Sequence, residues 1–515
     1  MSVNLGYLFL SIAREVIWSI CMNKQTKLKS YNELLTKITH LYLIKKQFIC
    51  AASLLLVAPC SWAKHSYDTI IIGAGVSGLT AAKQLHQAHQ DVLVIEAKER
   101  LGGRVYTDYN WGFAIDLGAT WIHGIEHNPL IPLLNQQTIV LNSYNNSKPT
   151  EMLKDFALFN SDGKPVSENS LKLFSSLAHE FIRYSKTQNI MLSFAQNFTV
   201  FAQEKKLDAE QRALLHYALD NIYTYEFADN LTQLSRNVYS AYESSTSSGK
   251  NAFIPAGYFQ LFQQFSQNIP IHLNQIVQQI DYTSDDVHVI TQSHTYDAKH
   301  VIITVPLGVL KANKIIFHPS LPEEKRNAIA ELKMGNYEKL YLLFDKVFWD
   351  KDKEWIGILP KNGEEAFNIF NYYKYTKKPV LIVFTAGKLA RDMEKRGHLK
   401  EWAMHHLRTI YGVNIPEPIK AKQSHWTNDP FTMGSYSYLP INVDKNIVAL
   451  LAKPVAEKLY FAGEATSTSD PSTVHGAYLS GLRAAHEILT KNHFYIQHNK
   501  EVSSSSSLVK RASSG

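Results

Sequence analysis

The stretch from Thr69 to Thr107, TIIIGAGVSGLTAAKQLHQAHQDVLVIEAKERLGGRVYT, limits the possible folds of this chain more than any other. An apolar β-branched run meets Gly73, Gly75 and Gly78 in Gly-x-Gly-x-x-Gly spacing. A helical segment follows, and a second apolar run, DVLVIE, ends on Glu96. Gly73 permits a tight turn, Gly75 lets backbone approach a pyrophosphate, and Gly78 lets the helix pack close to the sheet. The helix N-terminus attracts phosphate charge. Glu96 is placed to accept both ribose hydroxyls and to repel a 2′-phosphate. Glycines alone are weak evidence, but with the strand, helix and acid in place they predict a doubly wound, Rossmann-like α/β nucleotide-binding unit.

Directly afterwards, ERLGGRVYT offers Gly102, Gly103 and Arg104, a second close approach to a phosphate-bearing ligand that a plain nicotinamide dehydrogenase does not need. Near the other end, KLYFAGEATS reads as a buried strand followed by Gly463 and Glu464. STVHGAYLSGLRAAHEIL reads as a helix opening at Val474, with Gly476 and Gly481 on its packing side.

With 515 residues, 45% hydrophobic and 19% charged, the chain is long enough for two domains. Its net charge of +7 is concentrated in residues 1–63, where seven Lys/Arg face two Asp/Glu, so no basic stripe suits nucleic acid. Cys21, Cys50 and Cys60, the three cysteines of the chain, lie in that same leader, leaving the body without disulfides or cysteine-ligated metal. Lys45-Lys46, the apolar FICAASLLLVA and then PCSWA have the layout of a secretory signal, although more than 40 residues in. This predicts an exported protein, periplasmic or secreted, if the segment is used, and a membrane-anchored or cytoplasmic one otherwise. The run is short for a stable membrane span. Residues 493–515, rich in serine, read as a disordered tail.

Taken together, GAGVSGL, ERLGGRVYT, DLGATWIHG, IPAGY, VIITVPLGVLK, MGNYEKLYLLFDKVFW, SHWTNDPFTMGSYSY and LYFAGEATSTSDPSTVHGAYLSG resemble, in order, the flavin-containing amine oxidases. That family includes monoamine oxidases, polyamine oxidases and the oxidase domain of lysine-specific histone demethylases. The resemblance implies two interleaved domains after a leader at 1–65. An FAD-binding domain would be built from 66–135, 250–325 and 445–492, and a substrate domain with mixed sheet and helices from 136–249 and 326–444. It implies an enzyme that oxidises an amine by hydride transfer to flavin N5. The imine is then hydrolysed to aldehyde and amine, and O2 is reduced to H2O2. Activity should rise with pH over the neutral to mildly alkaline range, because the amine must first lose its proton.

Residue by residue, the resemblance places Val277 at the adenine end of FAD. Gly118, Ala119 and Thr120 lie against the flavin, where a larger side chain would obstruct it, and Lys339 holds a water at N5. Read on its own, Lys339 opens an apolar strand, where the alternative is a lysine that snorkels to solvent. Trp426, Tyr436 and Tyr478 match segments lining the substrate cavity, Tyr478 as part of an aromatic cage; Tyr438 reads as core. Ser435 stands where some monoamine oxidases carry the cysteine that binds FAD, so non-covalent FAD is expected.

DLGATWIHGIEHNP contains His123 and His127, which on one helix face could grip zinc, but Gly124 and Asn128-Pro129 make the segment a turn. No metal is expected. L-Amino acid oxidases usually place an arginine here to hold the substrate carboxylate, and its absence favours an amine without one. The histidine resembles that of polyamine oxidases, and His123 is expected to meet the substrate. A monoamine is the runner-up. A chromatin demethylase or a non-catalytic flavoprotein fits less well. Asp229, Glu226 and Glu243 lie where polyamine oxidases bring carboxylates to the tunnel, without any one of them being assigned.

Overall fold

The computed structural model describes residues 65–134, 155–359 and 366–490, together with the backbone of the strand Ile139–Val140. The signal-like leader and the serine-rich tail lie outside the described residues.

The first strand, β1 (Ser66–Ile72), buries Thr69 to Ile72 completely or nearly so. It runs parallel to β2 (Val92–Ile95) on one side and to β3 (Thr295–Ile303) on the other. Strands buried on both faces read as unbroken apolar runs, as Ile70–Ile72, Val92–Ile95 and Val301–Ile303 do. The sheet has eight strands and is mainly parallel. Beyond β2 comes Ile271–His272; beyond β3 come Val287–Thr291, Val277–Asp281 and Ile316–His318. The nine residues of β3 reach further than one partner can cover. Thr295 to Ala298 pair antiparallel with Val287–Thr291, and Val301 to Ile303 pair parallel with Leu459–Phe461.

Helix α1 (Val76–Gln87) follows β1 through Gly73, whose φ of +108° only glycine adopts without strain. A Cβ on Gly78 would lie 1.9 Å from the Gly73 carbonyl oxygen. Here the glycine is required by close packing of helix on turn, as the fingerprint predicts. The late helix α2 (474–490) crosses the same place: a Cβ on Gly481 would come within 2.3 Å of the Ser77 carbonyl oxygen.

A second sheet of six strands has the order Lys420–Gln423, β4 (Tyr337–Leu343), Val380–Ala386, Phe367–Asn371, Trp355–Ile358, Phe156–Phe159. Its pairs are antiparallel except the last. Three helices, Glu168–Thr187, Phe194–Glu204 and Ala209–Leu219, start at Ser167, Ser193 and Asp208, whose side chains accept backbone N–H groups. Two of these starts are full capping boxes, with Gln196 and Gln211 reaching back. The third helix runs into a π-helical turn, Asp220–Thr224. The wider turn rotates the chain beyond it, and Asn221, Tyr225 and Glu226 face a cavity. Among the described residues no helix is long and apolar enough to cross a membrane.

Gly78→Ala should cost about 1–3 kcal/mol in urea unfolding, since its neighbour is backbone and cannot yield cheaply. Unfolding at the wild-type midpoint would contradict the packing described.

Candidate active site

Both sheets contribute to one cavity of about 740 Å³. One part of its wall is the fingerprint: Gly73, Gly75, Glu96, Gly102, Gly103 and Arg104, with Val277, Gly463, Glu464 and Val474. Gly78 does not line it and serves packing alone. Helix α1 begins at the cavity with no side-chain cap and no acid in its first turn, which leaves its N–H groups and positive dipole end for an anion. A Cβ on Gly75, where φ is an ordinary −77°, would meet only the Gly103 Cα, at 4.0 Å. That space is a cradle for a ligand and not a packing contact. The Glu96 carboxylate accepts the Ala74 N–H at 2.7 Å and the Lys98 N–H at 2.8 Å, which orients it and leaves lone pairs for hydroxyls. These residues fit a dinucleotide.

Arg104 has a different setting from the one its position suggests. Its guanidinium donates to Glu464 at 2.7 Å and to the Ser435 carbonyl at 2.8 Å, so it locks three segments together at the cavity wall. Glu464 in turn accepts from the Ser437 hydroxyl and the Ser472 N–H. The reason for Gly118 also needs correction. It and Ala119 do line the cavity, but a Cβ on Gly118 would strike the Arg104 carbonyl oxygen at 1.9 Å. Backbone, not ligand, forbids a side chain there.

Lys339 does not snorkel. Only 5% exposed on β4, it sends its amine to the Gly118 carbonyl and the Thr120 hydroxyl, with the Asp116 carbonyl at 3.3 Å. Its Nζ lies 5.4 Å from the centre of the Trp121 ring. Burial pushes the Lys339 ammonium well below the usual lysine range, with Asp116 opposing, and burial pushes the Asp116 carboxyl up. Near neutrality this lysine can hold or release a proton.

Trp426 is 7% exposed, lines the cavity and donates its indole N–H to the Leu117 carbonyl at 2.9 Å. Tyr436 also lines the cavity, its hydroxyl donating to the Tyr225 carbonyl at 3.1 Å. Ser435 Oγ accepts the Tyr337 N–H and donates to the Tyr337 carbonyl, joining the strand ends. Tyr478 is a correction. On α2, Ala477 faces the cavity, and the next residue is turned about 100° away. Tyr478 packs instead near Phe265, with ring centres 6.3 Å apart, and at the mouth of the helix Thr473 lines the cavity.

The aromatic wall comes mostly from residues that motif reading did not single out. Tyr337 packs against Tyr225, Tyr436 and Phe384; Phe384 meets Trp121 and Trp355, and Trp355 stacks on Phe156 at 5.9 Å. Neither Tyr337–Leu343 nor Val380–Ala386 alternates in a way that marks Tyr337 or Phe384, and Phe156 and Trp355 show their role only once the strands pair.

His123 reaches solvent through the cavity it lines, and the surrounding protein still pushes its imidazole below the ordinary value, against the pull of Glu226. His127 is exposed. Of the three unassigned acids, Glu226 lines the cavity. Asp229 accepts from the buried Tyr438 hydroxyl at 2.8 Å and pairs with Arg391, and Glu243 pairs with Lys445.

The family model described as flavin containing amine oxidoreductase matches residues 76–489. The chain belongs to this family. Polyamine oxidase 4 of Oryza sativa subsp. japonica is 35% identical over 436 residues, which cover 82% of this chain and 88% of that one. Polyamine oxidase 2 of Arabidopsis thaliana is 34% identical over 439 residues, covering 82% and 88%. Lysine-specific histone demethylase 1 homolog 2 of Arabidopsis thaliana is 33% identical, covering 82% of this chain and 58% of its own. A putrescine oxidase structure bound to putrescine shares the fold, with a TM-score of 0.67 at 20% identity, covering 83% of this chain and all of the other. This flavin amine oxidase is thus an α/β enzyme whose cofactor is a flavin.

Gly75→Ala should leave the stability of flavin-free protein within about 0.5 kcal/mol of wild type and weaken flavin binding at least about tenfold, as measured by equilibrium titration. Unchanged affinity would place the flavin elsewhere.

Proposed function

We propose that this amine oxidase is an FAD-dependent polyamine oxidase that binds its cofactor non-covalently and releases H2O2. The observation that carries the substrate class is the charge of the cavity. Its one arginine, Arg104, is committed to Glu464 and a carbonyl, which leaves no bidentate grip for a substrate carboxylate. Glu226 and a wall of aromatic faces line the same cavity, and both attract cations. The field of Glu226 reaches His123, Tyr337 and Tyr436, which puts it among the residues a substrate would meet. The polyamine oxidases among the relatives support the same reading.

FAD would be held by the α1 N-terminus, Glu96, the Gly102-Gly103 turn, Val277 and the start of α2, with Arg104 and Glu464 behind the wall. Bound there, it supplies the acceptor for a hydride from the carbon next to nitrogen and passes the electrons on to oxygen. The protein's own work is binding and proton control. Glu226 and the aromatic faces hold a polyamine by the nitrogens that stay cationic. The His123 imidazole, which burial biases toward its neutral form, can hydrogen-bond the nitrogen that reacts, which must be uncharged. Lys339, its proton loosened by burial, can in its neutral form accept at Nζ a proton from the water that hydrolyses the imine. Without cysteine after residue 60, and with Ser435 Oγ bonded to backbone, no side chain in the cavity offers a thioether. We also propose that the two sheets mark two interleaved domains, and that the leader directs export.

Purified protein from Lys64 onward should release peroxide with spermine, spermidine or their acetylated forms, and far less with tyramine or L-amino acids. Peroxide from tyramine alone would favour the monoamine reading. Glu226→Gln should raise KM for the polyamine at least about tenfold, the scale of a lost hydrogen bond to charge, with a smaller change in kcat. An equal KM would remove Glu226 from the site. In wild type kcat should climb as pH rises across neutrality, since the depressed Lys339 loses its proton there. Lys339→Met should slow turnover with flavin still bound and remove that part of the pH profile.

A further inference from the structure

Glu338, the neighbour of Lys339 on β4, is fully buried and does not line the cavity. Successive strand residues face opposite ways, so the lysine points to the Asp116–Thr120 segment and the glutamate points away from it. One carboxylate oxygen of Glu338 accepts both the backbone N–H and the hydroxyl of Thr427, each at 2.8 Å, and the other accepts the Ser424 hydroxyl at 2.5 Å. Ser424 is tied to Lys339 twice: its Oγ accepts the Lys339 N–H and its own N–H donates to the Lys339 carbonyl, both at 2.9 Å. Between Ser424 and Thr427 lies Trp426, whose indole N–H donates to Leu117, within the segment that Lys339 grips. On the other side of this turn Glu394 accepts from Gln423, His425 and Asn428. A short turn rich in polar groups would otherwise have many conformations, and charge-assisted bonds to buried carboxylates select one.

We propose that Glu338 is a positioning residue, which holds the Trp426 turn to the Lys339 strand so that both side chains meet the Asp116–Thr120 segment in one fixed arrangement. The inference rests on a flavin bound in this cavity.

The test compares wild type, Glu338→Ala, Glu338→Gln, Trp426→Phe and the Glu338→Ala/Trp426→Phe double variant, all as FAD-loaded full chains. The readouts are the visible circular dichroism of the bound flavin and the FAD dissociation constant. Glu338→Ala should alter the dichroism and weaken FAD at least about tenfold, by loss of three bonds to charge. Glu338→Gln, which keeps the acceptor oxygen for Thr427, should recover most of both. In the Trp426→Phe background, Glu338→Ala should add little, because the two residues act as a unit. Should Glu338→Ala fail to fold, Thr427→Val removes one of the same bonds and must shift the dichroism in the same direction. Yellow wild type with Glu338→Ala dichroism and affinity unchanged, or full additivity in the double variant, overturns the inference alone. Wild type that binds no flavin overturns the cofactor reading and the inference with it.

Discussion

The bonds that converge on Asp116–Thr120 hold the two halves of the site together. This short segment runs along the cavity, and β4 of the second sheet reaches it through Lys339. Tyr341 donates to the same Asp116 carbonyl at 2.9 Å, and Trp426 donates to Leu117. Without partners, a buried ammonium and these carbonyls would each be costly. Paired, they offset one another and fix the distance between the fingerprint wall and the aromatic wall. The Gly118 backbone passes so close under Arg104 that the segment has little room to slide.

That closeness also explains the chemistry the cavity can do. A buried lysine gives up its proton more readily than one in water, and burial pushes the histidine in the same wall below its ordinary value. Glu226, just beyond the π-helical turn, lines the cavity beside these two bases. Bases whose protons burial loosens, beside a carboxyl side chain, suit a substrate that must be cationic at one nitrogen and neutral at another.

Much of the nucleotide end was legible because its constraints are local. Gly73, Gly75, Gly78 and Glu96 lie within one strand-helix-strand unit, and the spacing states the geometry directly. The buried Lys339 was legible through resemblance, since an apolar strand around it fits two explanations. The substrate end was less readable. Glu226 faces the cavity and Asp229 does not; between them the short helix Tyr225–Phe227 ends at Ala228 in the left-handed region, a conformation for which alanine carries no local signal. Tyr478 was misplaced because a helix position one residue from a cavity-lining one points elsewhere, and motif matching does not encode rotation. Phe156 and Trp355 are brought together by a parallel pairing of strands nearly 200 residues apart, which no local pattern reveals.

The central claim, that this cavity joins a flavin to a polyamine, is tested most directly by mixing the purified yellow protein with spermine or spermidine in the absence of oxygen. The account predicts that the visible flavin band bleaches within the time of turnover and returns when oxygen is admitted. A band that stays intact with every polyamine, yet bleaches with a simple monoamine or an L-amino acid, would contradict it.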